Sequence, residues 1–440
     1  MAPEAGAGAT MAAVSSFQEP AMPSDSVPTP QRRHDIDALR ALAFLLVILY
    51  HVGMYYVADW PWHLKSPHAA EWLPWPMRVL NLWRMDLVFL ISGVSLGFLS
   101  RGHGTWGLLR SRGLRLMLPL AFGMAVVVPY QAYAEGVARG LVAPGFGTFL
   151  LRYLSMGAPW PKGAFAGAEF GITWNHLWYL PYLFLYTALV ALTLPLWRSA
   201  AGQWVRRRFN GLRGWQLLVL PALPLLAWTV LLARHFPATH NLVWDFHLHS
   251  IYFTVFLYGY WMGVDTGIWR ELERLRRVSL LLAVAAIGAF IALRVGAVVA
   301  PKGLLMDVLR TAYLWLAVAT ILGHGHRHLN RPWPWLRWAN ESVYPWYMLH
   351  QTLIVAGVAL LVPLALGPVW EPVALVAVTI AGCWLLADGL IRRIGWLRPL
   401  FGLKRKPEPV MVMPPASASA SASSTPRPPA PGWRSPSPRA

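Results

Sequence analysis

The chain has 440 residues, 56% of them hydrophobic and 13% charged, and its mean hydropathy is +0.43. Soluble domains carry about 25% charged residues, so this composition excludes a soluble globular enzyme and describes an all-α, polytopic integral membrane protein. The net charge of +19 does not indicate nucleic acid, because the arginines fall in short clusters between apolar runs, and a lone cysteine, Cys383, excludes a disulfide framework.

Residues 1–31 are rich in Ala, Pro, Ser and Gly and lack a basic stretch leading into an apolar core, so they read as a disordered tail rather than a cleaved signal. A transmembrane domain follows over 32–403, with about ten runs long enough to cross roughly 30 Å of hydrocarbon. They lie at 38–57, 81–99, 114–134, 175–197, 215–233, 249–268, 278–299, 304–323, 343–366 and 370–391. Pro119, Pro129, Pro181 and Pro345 fall within these runs and predict kinks whose freed carbonyls are satisfied by neighbouring helices. Residues 404–440, basic and then Pro/Ser/Ala-rich, read as a second disordered tail.

Arginine and lysine concentrate in alternate loops. Arg110, Arg112 and Arg115, then Arg206, Arg207 and Arg208, then Arg274, Arg276 and Arg277 mark one side, while the other holds scattered residues such as Lys65, Arg139 and Arg234. By the positive-inside rule both termini are cytoplasmic. Trp72, Trp75, Trp160, Trp174 and Trp370 then form an aromatic belt on the outer face.

Ionisable residues inside spans are costly and mark function by default. The first run holds Arg40 and His51. Their spacing is three helical turns plus about 20°, so both project from one face, with the imidazole about 16 Å deeper. Asp86, near the outer end of the second span, is expected at a depth similar to that of His51. There a carboxylate can orient the imidazole and raise its basicity for general-base work; alternatively it pairs with Arg84 or His51 only to lower the cost of burial. Arg112 and Arg115, at i and i+3, share a helix face and can clamp a phosphate, though such arginines also serve as topology anchors.

The fourth span opens on Trp174-Asn-His-Leu-Trp-Tyr-Leu180, which offers Asn175, His176 and Trp178 to a sugar, or else forms an interfacial aromatic girdle. Ser342-Val-Tyr-Pro-Trp-Tyr-Met-Leu-His350 brings a second imidazole about 12 Å into the ninth span. Asp245, His247 and His249 flank an outer helix end. His324-Gly-His-Arg-His328 sits in a predicted basic loop without carboxylates or cysteines, so no metal site is assigned.

Arg40 with His51, Met85-Asp-Leu-Val-Phe-Leu-Ile-Ser-Gly93, Arg112 with Arg115, and Ser342 through His350 occur in that order. Together they resemble the membrane-bound acyltransferase family 3, nearest in form to the branch containing glucan biosynthesis protein C. The resemblance implies an O-acyltransferase that moves an acyl group of the acetyl or succinyl class from cytoplasmic acyl-CoA to a hydroxyl of a glycan or other envelope molecule. It needs no permanently bound cofactor and works among membrane lipids in the cell (inner) membrane. It implies His51 as the catalytic histidine, Arg40 as its motif partner, and Arg112 and Arg115 as coenzyme A contacts. Many members carry Trp-Ser-Leu-x-x-Glu in the fourth span, whereas this chain reads Trp178-Tyr-Leu-Pro-Tyr-Leu183, without the Glu. The alternative from another class is a proton-coupled transporter or flippase relaying through His51, Asp86 and His350. Inverted repeats would favour it, and none is evident.

Overall fold

The computed structural model describes residues 33–156, 160–263, 265–295 and 303–405, with Gly432 alone beyond them. The tails expected over 1–31 and 404–440 lie outside the described residues, apart from Lys404, Arg405 and Gly432. The described chain is helical, with no strand and one isolated bridge between Val57 and Ala70. Its first half holds α1 (His34–Tyr56), α2 (Pro74–Asn81), α3 (Arg84–Leu99), α4 (Thr105–Phe122), α5 (Pro129–Ala138), α6 (Phe146–Leu154), α7 (Tyr179–Leu192), α8 (Leu194–Arg198) and α9 (Ala200–Asn210). The second half holds α10 (Trp215–Val219), α11 (Ala222–Leu232), α12 (Phe246–Met262), α13 (Gly267–Ala292), α14 (Leu304–Leu329), α15 (Leu336–Leu361), α16 (Gly367–Trp384) and α17 (Leu397–Leu400).

Among the described residues, 7 helical stretches are long and apolar enough to cross a membrane, or up to 8 when the bent pair spanning Thr105–Ala138 counts as one. The two further runs read from the sequence form shorter helices, α7 with 14 residues and α12 with 17. The fourth run is divided because Asn175–Trp178 winds as a 3-10 turn, and a new helix begins around Pro195. Leu231, Leu281 and Val284 stand exposed on α11 and α13, as hydrocarbon contact requires.

Helices approach most closely where glycine removes the side chain. A Cβ on Gly93 of α3 would lie 2.0 Å from the Phe256 carbonyl oxygen, and one on Gly259 of α12 would lie 2.0 Å from that of Leu90. Gly97 and Gly263 repeat the contact one turn on, giving two small-xxx-small faces in register. α13 pairs with α14 in the same way, where Gly323 meets the Leu272 carbonyl.

α1 runs between α15, α14 and α3. Its start is tied down by Asp35, which accepts from Arg33 at 2.6 Å and meets His326 of α14 at 2.9 Å. Between α4 and α5 the chain widens into a π-helical turn, Gly123–Val127, and bends by 42°. Gln131 donates to the Val128 carbonyl rather than to that of Val127. The Val127 carbonyl freed in this way accepts from the Thr352 hydroxyl of α15 at 2.7 Å. A hydroxyl from a neighbouring helix therefore satisfies the kink, as a membrane interior demands, and it locks α5 against the part of α15 that carries His350.

Candidate active site

α1 and α15 bring two imidazoles together. His51 Nδ1 and His350 Nε2 are 3.0 Å apart, with ring centroids 5.0 Å apart. His350 is fully buried, and its Nδ1 lies 2.7 Å from the Tyr347 carbonyl and 3.2 Å from that of Trp346. A carbonyl can only accept, so His350 carries its proton on Nδ1 and, as a neutral ring, offers a lone pair at Nε2. His51 must therefore donate from Nδ1, which leaves the lone pair of His51 on Nε2. The partner of one ring nitrogen decides what the other can do, and here the arrangement presents a base.

His51 lines a cavity of about 860 Å³. Its walls include Trp62, Trp174 and Trp178, with Asn175 and His176 beside them. The three fourth-span residues expected to meet a substrate thus share one cavity with His51. Asn175 takes φ 41°, a left-handed conformation that an Asn tolerates better than most residues, and this opens the turn that aims the group inward. His176 is held at 3.0 Å from the Met348 carbonyl, so its Nε2 donates there, and its Nδ1 accepts from Gln131 at 3.3 Å.

A polar network continues along the wall. Gln131 Oε1 accepts from Asn175 at 3.2 Å and from Gln351 at 3.1 Å. Gln351 also donates to His63 Nε2 at 2.7 Å. That leaves His63 Nδ1 as the donor to Glu135, which is also paired with Arg139 at 2.7 Å. Gln351 Oε1 is buried without a partner, an open acceptor next to the histidine pair. The loop after α11 closes one side of the cavity through Thr239, His240 and Asn241. Asp245 anchors that loop, accepting from the Thr239 and His240 amides at 2.6 and 2.7 Å and from the Tyr182 hydroxyl at 2.6 Å. Burial alone raises the Asp245 pKa, but the Tyr182, Thr239 and His240 hydrogen bonds outweigh it and hold the carboxyl below its ordinary value. His249 supports the same loop through the Leu242 carbonyl, 2.7 Å away.

A second cluster gathers arginines from the first part of α1 and the middle of α4. Arg40 donates to Ser95 at 2.6 Å and to Asp37 at 3.2 Å. It lies within Coulombic reach of Arg112 and Arg115. Arg112 Nε is buried and makes no hydrogen bond. The Arg115 carbonyl accepts from Tyr344, which begins the segment leading up to His350. Between this cationic cluster and the imidazoles lie Ser92 and Tyr179, whose hydroxyls are 2.5 Å apart.

The structure does not bring Asp86 to His51. Asp86 is buried with Oδ1 unpartnered, and its electrostatic neighbours are Arg310 of α14 and Tyr252 of α12. The cause is angular. Asp86 precedes Ser95, which faces Arg40 of α1, by nine residues of α3, and nine residues at about 100° each amount to half a turn. The imidazole partner is His350 instead. The basic loop expected at His324–His328 is also corrected, because α14 continues to Leu329. His326 there serves as the Asp35 partner, while His324 and His328 stack.

Sequence reasoning passed over His63, Gln131, Glu135 and Gln351. Gln131, Glu135 and Gln351 had a signal, as uncommon polar groups within or at the end of apolar runs. His63 had none, since it lies in a connecting loop.

The acyltransferase domain family matches residues 33–388 of this chain. Glucans biosynthesis protein C of Escherichia coli O6:K15:H31 (strain 536 / UPEC) is similar, at 28% identity over 169 residues. That alignment covers 37% of this chain and 39% of the relative, so it spans well under half of the relative's length. No solved structure matches the chain significantly.

Proposed function

The chain belongs to the acyltransferase-3 family, and from that premise we propose that it is a membrane O-acyltransferase. It takes an acyl group of the acetyl or succinyl class from cytoplasmic acyl-CoA and places it on a hydroxyl of a glycan or other envelope molecule, in the cell (inner) membrane. The observation that carries this reading is the His51–His350 pair, which leaves a lone pair on the ring that lines the cavity. His51 Nε2 takes the proton of the acceptor hydroxyl as its oxygen attacks the thioester carbon. The tetrahedral intermediate collapses, the C–S bond breaks, and the coenzyme A sulfur leaves with the proton from His51. Arg40, Arg112 and Arg115 hold the coenzyme A phosphates as charge-assisted donors, and Asn175, His176 and Trp178 meet the acceptor. Purified protein given acetyl-CoA or succinyl-CoA together with an envelope glycan extract as acceptor should release free thiol; no release from either donor would overturn the reading.

His350 acts here as a positioning residue. His350→Phe removes the acceptor that fixes the His51 tautomer, so turnover should fall by about 10²-fold with little change in KM. A rise in KM at constant kcat would make His350 a binding residue instead. For the arginines, Arg112→Lys with Arg115→Lys keeps the positive charge but loses the planar fork. Acyl-CoA affinity should fall by about tenfold with normal membrane insertion, and unchanged affinity would leave both residues as anchors.

The proposed topology has ten crossings, made by the long stretches, the bent α4–α5 pair, α7 and α12, with both termini in the cytoplasm. It is supported by the arginine clusters, which then lie on the face that meets acyl-CoA. A reporter fused after Lys406 should be active only if it works in the cytoplasm, and one within 136–170 should behave oppositely. An outward C-terminal signal would reverse the donor face.

A further inference from the structure

Arg84, at the start of α3, has no role in the steps above, and its surroundings are unusual. It is only 6% exposed, and its Nε and Nη1 make no hydrogen bond. Among the described residues no carboxylate lies within ion-pair distance of it, and the charged neighbour of Asp86, two positions on, is Arg310 rather than Arg84. The guanidinium carbon sits 3.4 Å from the centre of the Tyr50 ring. Tyr50 lines the cavity, and its ring lies 5.9 Å from that of His51. Arg84 is also within Coulombic reach of His51, His350 and His240, none of which can supply negative charge.

A permanently charged guanidinium has thus been placed behind Tyr50, a residue of the cavity wall, with Nε and Nη1 free and only the ring and hydroxyl of Tyr50 for company. A ring face recovers part of the lost hydration of a cation, but a buried charge left without an anion remains costly. Ionisable groups held under such strain beside a cleft cluster at functional sites. The phosphates of coenzyme A are assigned to the arginine cluster formed by Arg40 near the start of α1 and Arg112 and Arg115 of α4, so an anion at the depth of His51 has to belong to the reacting groups themselves. A flat guanidinium matches a carboxylate in both shape and charge.

We propose that Arg84 binds a carboxylate carried by one of the two reacting molecules, either at the far end of a dicarboxylic acyl group or on an acidic sugar acceptor. The proposal rests on the acyl-transfer reading for the identity of the reacting centre. It assigns a substrate class to that centre, since one partner is anionic. A neutral acyl group arriving with a neutral acceptor would leave Arg84 uncompensated throughout the reaction.

Binding without turnover tests this. The emission of cavity residues Trp62, Trp174 and Trp178 is followed while purified protein is titrated with succinate against succinamide, and with glucuronate against glucuronamide. At least one acid should bind tenfold or more tightly than its amide. Arg84→Gln should abolish that preference while leaving amide affinity unchanged. A preference for succinate assigns the carboxylate to the acyl group, and one for glucuronate assigns it to the acceptor. Should Arg84→Gln not fold, Arg84→Lys replaces it and should cut the preference at least threefold, because a point charge replaces the fork. No preference in the native protein, or one that the variant leaves intact, overturns the proposal. Failure of thiol release from acyl-CoA would count against acyl transfer and would leave the binding result standing.

Discussion

His51→Gln should lower acyl transfer by about 10²–10⁴-fold, the range expected when a general base is lost, while the protein stays folded. The glutamine amide is near the imidazole in size and can still donate to His350 Nε2, the hydrogen bond that links α1 to α15 at this depth. It cannot accept a proton at neutral pH, so the lone pair presented to the cavity loses its basicity. On α1 itself the neighbours Val47, Ile48, Val52 and Tyr55 are buried and uncharged, so the neutral amide fits the helix surface that position 51 shares. The measurement is turnover of well-folded His51→Gln protein beside its retained affinity for acyl-CoA. Near-normal turnover would remove His51 from the mechanism. Loss of both turnover and affinity would make it a donor contact rather than a base.

Gly259→Val should abolish stable folded protein. At this position α12 meets α3 so closely that even an ideal Cβ would stand 2.0 Å from the Leu90 carbonyl oxygen and 2.9 Å from the Val94 nitrogen. Those atoms are backbone and cannot turn aside, so the helices would have to separate by more than an ångström along the face they share. Overpacking of this kind falls in the rare class of substitutions costing about 4 kcal/mol or more. The damage would reach the site as well, because α3 also carries Ser92 and Ser95, the partners of Tyr179 and Arg40. Gly288→Val on α13 is the control, since a Cβ there meets nothing within 4 Å. It should yield monodisperse detergent-solubilised protein like the parent, whereas Gly259→Val should aggregate or fail to accumulate. Equal yields from the two would show that α3 and α12 do not pack as described.

These two sites were not equally legible in the sequence. His51 stood out because an imidazole in an apolar run is uncommon, and its shared face with Arg40 follows from helical spacing alone. Gly259 gave little warning. Gly93 and Gly97 repeat at the spacing of a packing face, as do Gly259 and Gly263, but only the packed structure shows that the two faces meet. The reading of Asp86 as the partner of His51 shows the same boundary. Its depth followed from counting residues along α3, at about 1.5 Å each. The direction it faces depends on how α3 is rotated against α1, and that rotation is set by the glycine contacts with α12.

The sequence by itself determined the helical membrane architecture, the apolar runs, and the family signature from Arg40 to His350. These are local properties, written in hydropathy, periodicity and the order of motifs along one chain. The pairing of His51 with His350 was decided only by the tertiary structure. So were the lone pair it leaves on His51, the gathering of Asn175, His176 and Trp178 around the same cavity, and the isolation of Arg84. Each depends on the azimuth of one helix against another or on the path of a connecting loop, and those are fixed by packing among residues far apart in the chain.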